Sequence, residues 1–130
     1  MSNVKILASN WVYKSDGKVD TWRILKPNEQ GKYVGDCDDF AITALYLSTG
    51  TLSKFWLALI LGSAKICYVT TIAGGGHAVL KYKGMYIDNW TKEWVTKDHM
   101  QQEVKHVFSM WMYPWTTVVI KMLLGKFQSA

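Results

Sequence analysis

The spacing of apolar residues changes period near the middle of the chain. Between Asp36 and Gly50, Phe40, Ala41, Ala44, Leu45 and Leu47 recur at helical intervals behind aspartates at 36, 38 and 39. Carboxylates at a helix start meet unpaired backbone N–H groups and the positive end of the helix dipole. The stretch therefore predicts a helix capped by Asp36 and stopped by Gly50. LSKFWLALILGS predicts a second, nearly all-apolar helix closing at Gly62. Beyond it the period moves toward two. KICYVTTI, HAVLKY and MYIDNW read as three strands, the first two joined by AGGG and the second pair by Lys83-Gly84 as a tight hairpin turn. Thr91 to Glu103 has room for a short helix, while KHVFSMWMY and TTVVIKML predict two further strands. Lys14 to Gly35 is polar and punctuated, and reads as loops with one short helix near DTWRIL. Helices first and an antiparallel sheet after them make an α+β plan. At 130 residues, with no repeat or linker, the expectation is one domain spanning 1–130.

Composition fills in the core. The chain is 49% hydrophobic with 7 Trp and 7 Tyr, which excludes disorder and predicts an interior of large aromatic side chains. The net charge of +5 invites a nucleic-acid reading, but the fifteen basic residues are scattered singly, with no dense run or repeated stripe, so nucleic acid is not expected as a partner. A mild attraction to acidic polymers, bacterial envelopes included, fits the same charge. MSNVKILASNWVYKSDG lacks a basic segment followed by an apolar one, so no secretory signal is expected and the protein reads as cytoplasmic when made. FWLALILG is far shorter than the ~20 residues that span a bilayer. WMYPWTTVVIKMLLGKF is broken by Pro114 and Lys121 and reads as core or sticky surface, so no transmembrane segment is expected.

The candidate chemistry lies in GDCDDFA, residues 35–41. Three aspartates around Cys37 should raise its thiol pKa, yet a helix start offers N–H groups and a dipole that support a thiolate and an oxyanion. A nucleophilic cysteine also needs a base, and the base an orienter. His77 opens HAVLKY after three glycines, and Asp88 in MYIDNW follows eleven residues later. With Lys83-Gly84 as a two-residue loop, Tyr82 pairs with Met85, Val79 with Asp88 and His77 with Trp90. His77 and Asp88 then share one face, diagonal and roughly 7 Å apart between α-carbons. A three-residue loop would send Asp88 to the other face. Cys67, in an apolar strand, reads as a buried small hydrophobe, and no Cys/His spacing suggests zinc.

GDCDDFA opening a helix, then HAVL, then YIDNW resemble the Cys, His and Asp segments of the bacterial transglutaminase-like cysteine peptidases, and a phage-encoded member is one form this allows. Asp20 to Trp22 and VFSMWMY resemble segments flanking that core, so the likeness covers roughly residues 11 to 113. It implies a papain-like, transglutaminase-like α+β core and thiol-dependent cleavage of an amide in a protein or peptide substrate, through a thioester. Cys37 is then the nucleophile, His77 the base and then the acid, and Asp88 the orienter. Some secreted members bind calcium through acidic residues flanking the cysteine, which match Asp36 and Asp38, although Asp38 stands where the family often has a longer glutamate. No cofactor is required for the chemistry itself. Gln30, by analogy with papain-like sites, and the Trp22 indole are candidate oxyanion donors.

Other residues have plainer readings. Phe40-Ala41 and the missing glycine exclude an EF-hand. His99 and His106 read as structural or surface histidines, Asn89 as a strand-end polar residue, and Trp90 and Trp94 as core. Two alternatives to a peptidase stand. One is an amidohydrolase acting on peptidoglycan stem peptides within a phage or lysis system. The other is a non-catalytic phage protein that binds a host factor through a tryptophan-rich surface. If the chain is phage-encoded, host cytoplasm or virion is its expected location.

Overall fold

Asp36 starts the first long helix as its sequence predicts. In the computed structural model, which describes residues 4–14, 22–70, 76–102 and 107–128, the Asp36 carboxylate accepts from the Asp39 N–H, and the Asp39 carboxylate accepts from the Asp36 N–H, both at 3.3 Å. This reciprocal cap satisfies two otherwise unpaired donors and fixes where helix α2, Cys37–Thr49, begins. Gly50, at φ 85°, closes it. Helix α3, Leu52–Leu61, follows, capped by the Thr51 hydroxyl and ended by Gly62. Phe40, Ala41, Ala44 and Leu45 are wholly buried, and α2 packs against α1, Val4–Ser9, against α3 and against the sheet.

That sheet has four antiparallel strands in the order β5-β4-β3-β6: β3 is Ala64–Thr70, β4 Gly76–Tyr82, β5 Met85–Ile87 and β6 Val107–Tyr113. Lys83 and Gly84 have φ of 51° and 80°, the left-handed pair that a two-residue hairpin turn needs, and glycine takes the second position without strain. The register is the one predicted from that turn, Tyr82 opposite Met85 and Leu80 opposite Ile87. Helix α4, Lys97–Gln102, supplies the short helix expected after Thr91, and the α+β class holds. Cys67 is buried among Val69, Val79, Tyr86, Val95 and Met100, as a small hydrophobe.

Several expectations are corrected. TTVVIKML is not a strand but part of helix α5, Trp115–Gln128. The Pro114 carbonyl accepts from the N–H groups of Thr117 and Val118 and so opens the first turn, and Val118 is wholly buried. The β-branched run favours a strand locally, but a helix buries Val118 and packs Met122, one turn on, against the same core. DTWRIL is not helical in its described part, Trp22 onward. Its amides are spent elsewhere: Arg23 N–H donates to Asp39 Oδ1 at 2.9 Å, and Leu25 N–H to Thr43 Oγ1 at 2.8 Å. Two residues of extended chain and four of helix both advance about 6 Å, so alternate amides meet acceptors one helical turn apart. Gly35 lets this chain approach, because a Cβ there would lie 2.9 Å from Leu25 Cδ1 and 2.7 Å from the Asp39 carboxylate. MYIDNW leaves the sheet at Ile87, so the pairs Val79–Asp88 and His77–Trp90 do not form. Helix α1 and a parallel pair, β1 Trp11–Tyr13 with β2 Tyr33–Gly35, were not expected. Asp20, His106 and most of the AGGG link lie outside the described residues.

Candidate active site

Cys37 is the first residue of α2 and is half-buried in the wall of an open cleft of about 500 Å³. One side of the cleft comes from β1, which brings Trp11 and Tyr13; its partner β2 ends at Gly35 and leads directly into the cap and Cys37. The other side comes from the start of β4, with Gly76 and His77, and from the turn after β5, with Asn89, Trp90 and Lys92. Gly76 has no room for a Cβ, since the Tyr68 ring fills that space. Cys37 and His77, forty residues apart in sequence, thus face one space.

His77 Nε2 and Asp88 Oδ2 are 2.7 Å apart, with both side chains buried. The pairing inferred from the hairpin register is present, though Asp88 reaches the imidazole from a turn rather than from a strand. That turn is built around the same carboxylate: Oδ1 accepts from the N–H groups of Trp90, at 3.2 Å, and Thr91, at 2.7 Å, and the Asp88 carbonyl accepts from Lys92 N–H. One oxygen therefore holds the backbone and the other holds His77. Trp90 is not core. It is 52% exposed and lies over His77 with ring centroids 5.1 Å apart. Trp94 is partly buried and packs against the core, near Tyr82.

The acidic collar acts as its composition suggests. Burial pushes the Cys37 thiol up to about 12, with the charges of Asp38 and then Asp36 adding to it; the N–H groups of Ala78 and Asp38, which hydrogen-bond the sulfur, pull the other way. The helix start does not win, and the thiol is protonated at rest. Cys67 is pushed up to about 11 by burial, against the opposing charges of Lys81, Lys97 and Lys65. A thiol raised in this way supports folding while protonated. From Cys37 the contribution is complete below its ordinary value of 9.0 and lost as pH rises toward about 12. The denaturation midpoint of wild type relative to Cys37→Ala is therefore expected to hold steady to about pH 9 and fall above it. Iodoacetamide at pH 7.5 is expected to label Cys37 on the order of 100-fold more slowly than in the unfolded chain, because the thiolate fraction falls further than thiolate nucleophilicity rises. Fast labelling with a midpoint below neutrality would mean a resting thiolate–imidazolium pair instead.

The remaining candidates do not join the cleft. Trp22 is wholly buried, edge-on to Tyr113 at 4.9 Å, and its backbone N–H donates to the Lys121 carbonyl. Gln30 is exposed on the Asn28–Gly31 turn, its N–H bonded to Asn28 Oδ1. Neither lines the space around Cys37. His99 belongs to α4, away from the cleft. The donor that sequence reasoning missed is Trp11. Its indole Nε1 is buried, has no hydrogen-bond partner among the described residues, and belongs to a residue lining the cleft. A lone tryptophan in a polar N-terminal stretch gives no signal of this, because the parallel pairing with β2 is what carries it there. The carboxylate of Asp36 is engaged in the helix cap. Among the described residues no group of three or more His, Cys, Asp or Glu comes together as an ion site. With capping as the role of Asp36, a chelator is expected to leave both Tm and rate unchanged. A parallel fall in the two, restored by calcium, would assign an ion to Asp36 and Asp38.

No protein-family model matches the chain, and no curated protein matches it.

Proposed function

We propose that the chain is a cysteine-dependent amide hydrolase, a peptidase with a Cys37-His77-Asp88 triad on a papain-like, transglutaminase-like core. The observation that carries this reading is the buried His77–Asp88 contact of 2.7 Å, opening on the same cleft as a cysteine at a helix start. A buried carboxylate on one ring nitrogen is the arrangement that orients a general base. Because Asp88 occupies Nε2, that nitrogen carries the ring proton, and Nδ1 is the nitrogen that exchanges a proton with the thiol.

The raised thiol pKa sets the order of events. Cys37 Sγ attacks the scissile carbonyl while its proton passes to His77 Nδ1, so charge on sulfur is consumed as it forms. The tetrahedral oxyanion collapses to a thioester, and the imidazolium returns the proton to the departing amine. Water, deprotonated by Nδ1, then attacks the thioester and releases the acid and the free thiol. Trp11 Nε1–H is the candidate oxyanion donor: it is buried with no hydrogen-bond partner among the described residues and belongs to a residue lining the cleft with Cys37, so a hydrogen bond formed only during reaction is a net gain. Trp11→Phe is expected to lower kcat by about 10²-fold with little change in KM, while largely keeping the edge contact with Phe40 and hence Tm. A change in KM alone would make Trp11 a binding wall rather than an oxyanion donor. The reading as a whole is tested by a peptide-library cleavage screen run with wild type and Cys37→Ala in parallel. Cleavage by wild type alone supports it, and equal profiles remove it.

A further inference from the structure

We propose that the outer face of α3, together with the adjoining flank of α5, is a docking surface for an anionic lipid bilayer. A helix on the surface of a globular protein normally buries one apolar stripe and turns polar residues outward. α3 is apolar on both sides. Phe55, Ala58 and Leu59 face the core, while Leu57, Ile60 and Leu61, spaced to share the opposite face, are 53, 48 and 77% exposed. The apolar surface continues beyond the helix: Trp56 shares a groove of about 540 Å³ with Val119, Met122 and Leu123 of α5. Exposed apolar residues clustered in this way, and not scattered singly, mark an interaction site.

The charge of the segments that supply this face, and the two lysines that border its leucines, point to the occupant. All ten acidic side chains of the chain fall within residues 16–39 and 88–103. Residues 40–87 and 104–130, from which α3 and α5 come, contain no carboxylate and seven lysines. The whole positive excess therefore belongs to the segments that carry the apolar face, and the rest of the chain is net negative. Lys54 and Lys83 line one hollow with Leu57 and Leu61, so ammonium groups border the leucines. Leucines that enter the acyl boundary beside lysines that meet headgroup phosphates are the two components of interfacial binding. α3, ten residues long, is too short to span a bilayer, so this face lies on the membrane rather than in it.

The test is co-sedimentation of the full chain with vesicles of phosphatidylcholine, alone or mixed two to one with phosphatidylglycerol. Binding to the mixed vesicles is expected to be at least about tenfold tighter and to fall sharply in about 1 M salt, where the Debye length is about 3 Å. Lys54→Gln with Lys83→Gln should weaken it about 25-fold, roughly fivefold for each lysine. Leu57→Ser with Leu61→Ser should weaken binding to both vesicle types, with Tm unchanged because the side chains are exposed. Equal binding to the two lipids, or none to either, overturns the proposal. So does analytical ultracentrifugation showing a dimer that the leucine variants dissociate, which would make the face a contact between two copies.

Discussion

Cys37→Ala is expected to slow amide hydrolysis by at least about 10⁴-fold, with the fold retained. Without the sulfur no acyl-enzyme forms, and His77 has no thiol proton to accept. Serine should rescue little. The burial and the charges of Asp38 and Asp36 that push the thiol up to about 12 also oppose ionisation of an alcohol, which starts from a much higher value. The fold should survive both changes because the helix start is fixed by Asp36 and Asp39, not by the cysteine side chain. Cys67→Ser separates the two cysteines: it leaves the rate nearly unchanged and costs about 1–3 kcal/mol, since a hydroxyl there is buried in an apolar cluster. Mass spectrometry of a quenched reaction should find the acyl adduct on the peptide containing Cys37. Full activity in Cys37→Ala would end the triad reading.

What the sequence made legible was determined by short-range chemistry. The cap at Asp36 needs only residues 36 to 39, and the Lys83-Gly84 turn needs only two residues whose backbone takes positive φ. From those, the start of α2 and the register of β4 with β5 follow, and with them the approach of His77 to Asp88. What stayed hidden depends on partners distant in sequence. Nothing in TWRIL says that its amides will be taken by Asp39 and Thr43, and without those acceptors a short helix is a fair reading. TTVVI carries strand propensity, and the core contacts of Val118 and Met122 decide for α5. Trp11, Trp22 and Trp90 look alike as letters. Parallel pairing puts the first in the cleft, a core contact hides the second, and the turn around Asp88 holds the third over His77.

That turn makes Asp88→Asn more informative than an ordinary carboxylate deletion. In wild type Oδ1 accepts from Trp90 and Thr91 N–H groups, and Oδ2 faces His77 Nε2. An asparagine must keep its single oxygen where the two backbone donors are, which turns its NH₂ toward Nε2. A donor facing Nε2 selects the tautomer with the proton on Nδ1, the nitrogen that has to receive the thiol proton. The imidazole then keeps its position and loses its basic lone pair toward Cys37. The expected result is a fall in kcat of about 10³- to 10⁴-fold, with KM and Tm little changed. Asp88→Ala should lose stability as well, because it also frees the Trp90 and Thr91 amides. Inserting one glycine after Gly84 tests the same contact from the backbone side. An odd loop either bulges β5 or rotates its residues to the other face, so Asp88 leaves His77 and activity should disappear even if the sheet survives. Near wild-type rates in either Asp88→Asn or the insertion would take the orienting role away from Asp88 and make Asn89, already lining the cleft with a buried Oδ1 that has no partner among the described residues, the first residue to replace.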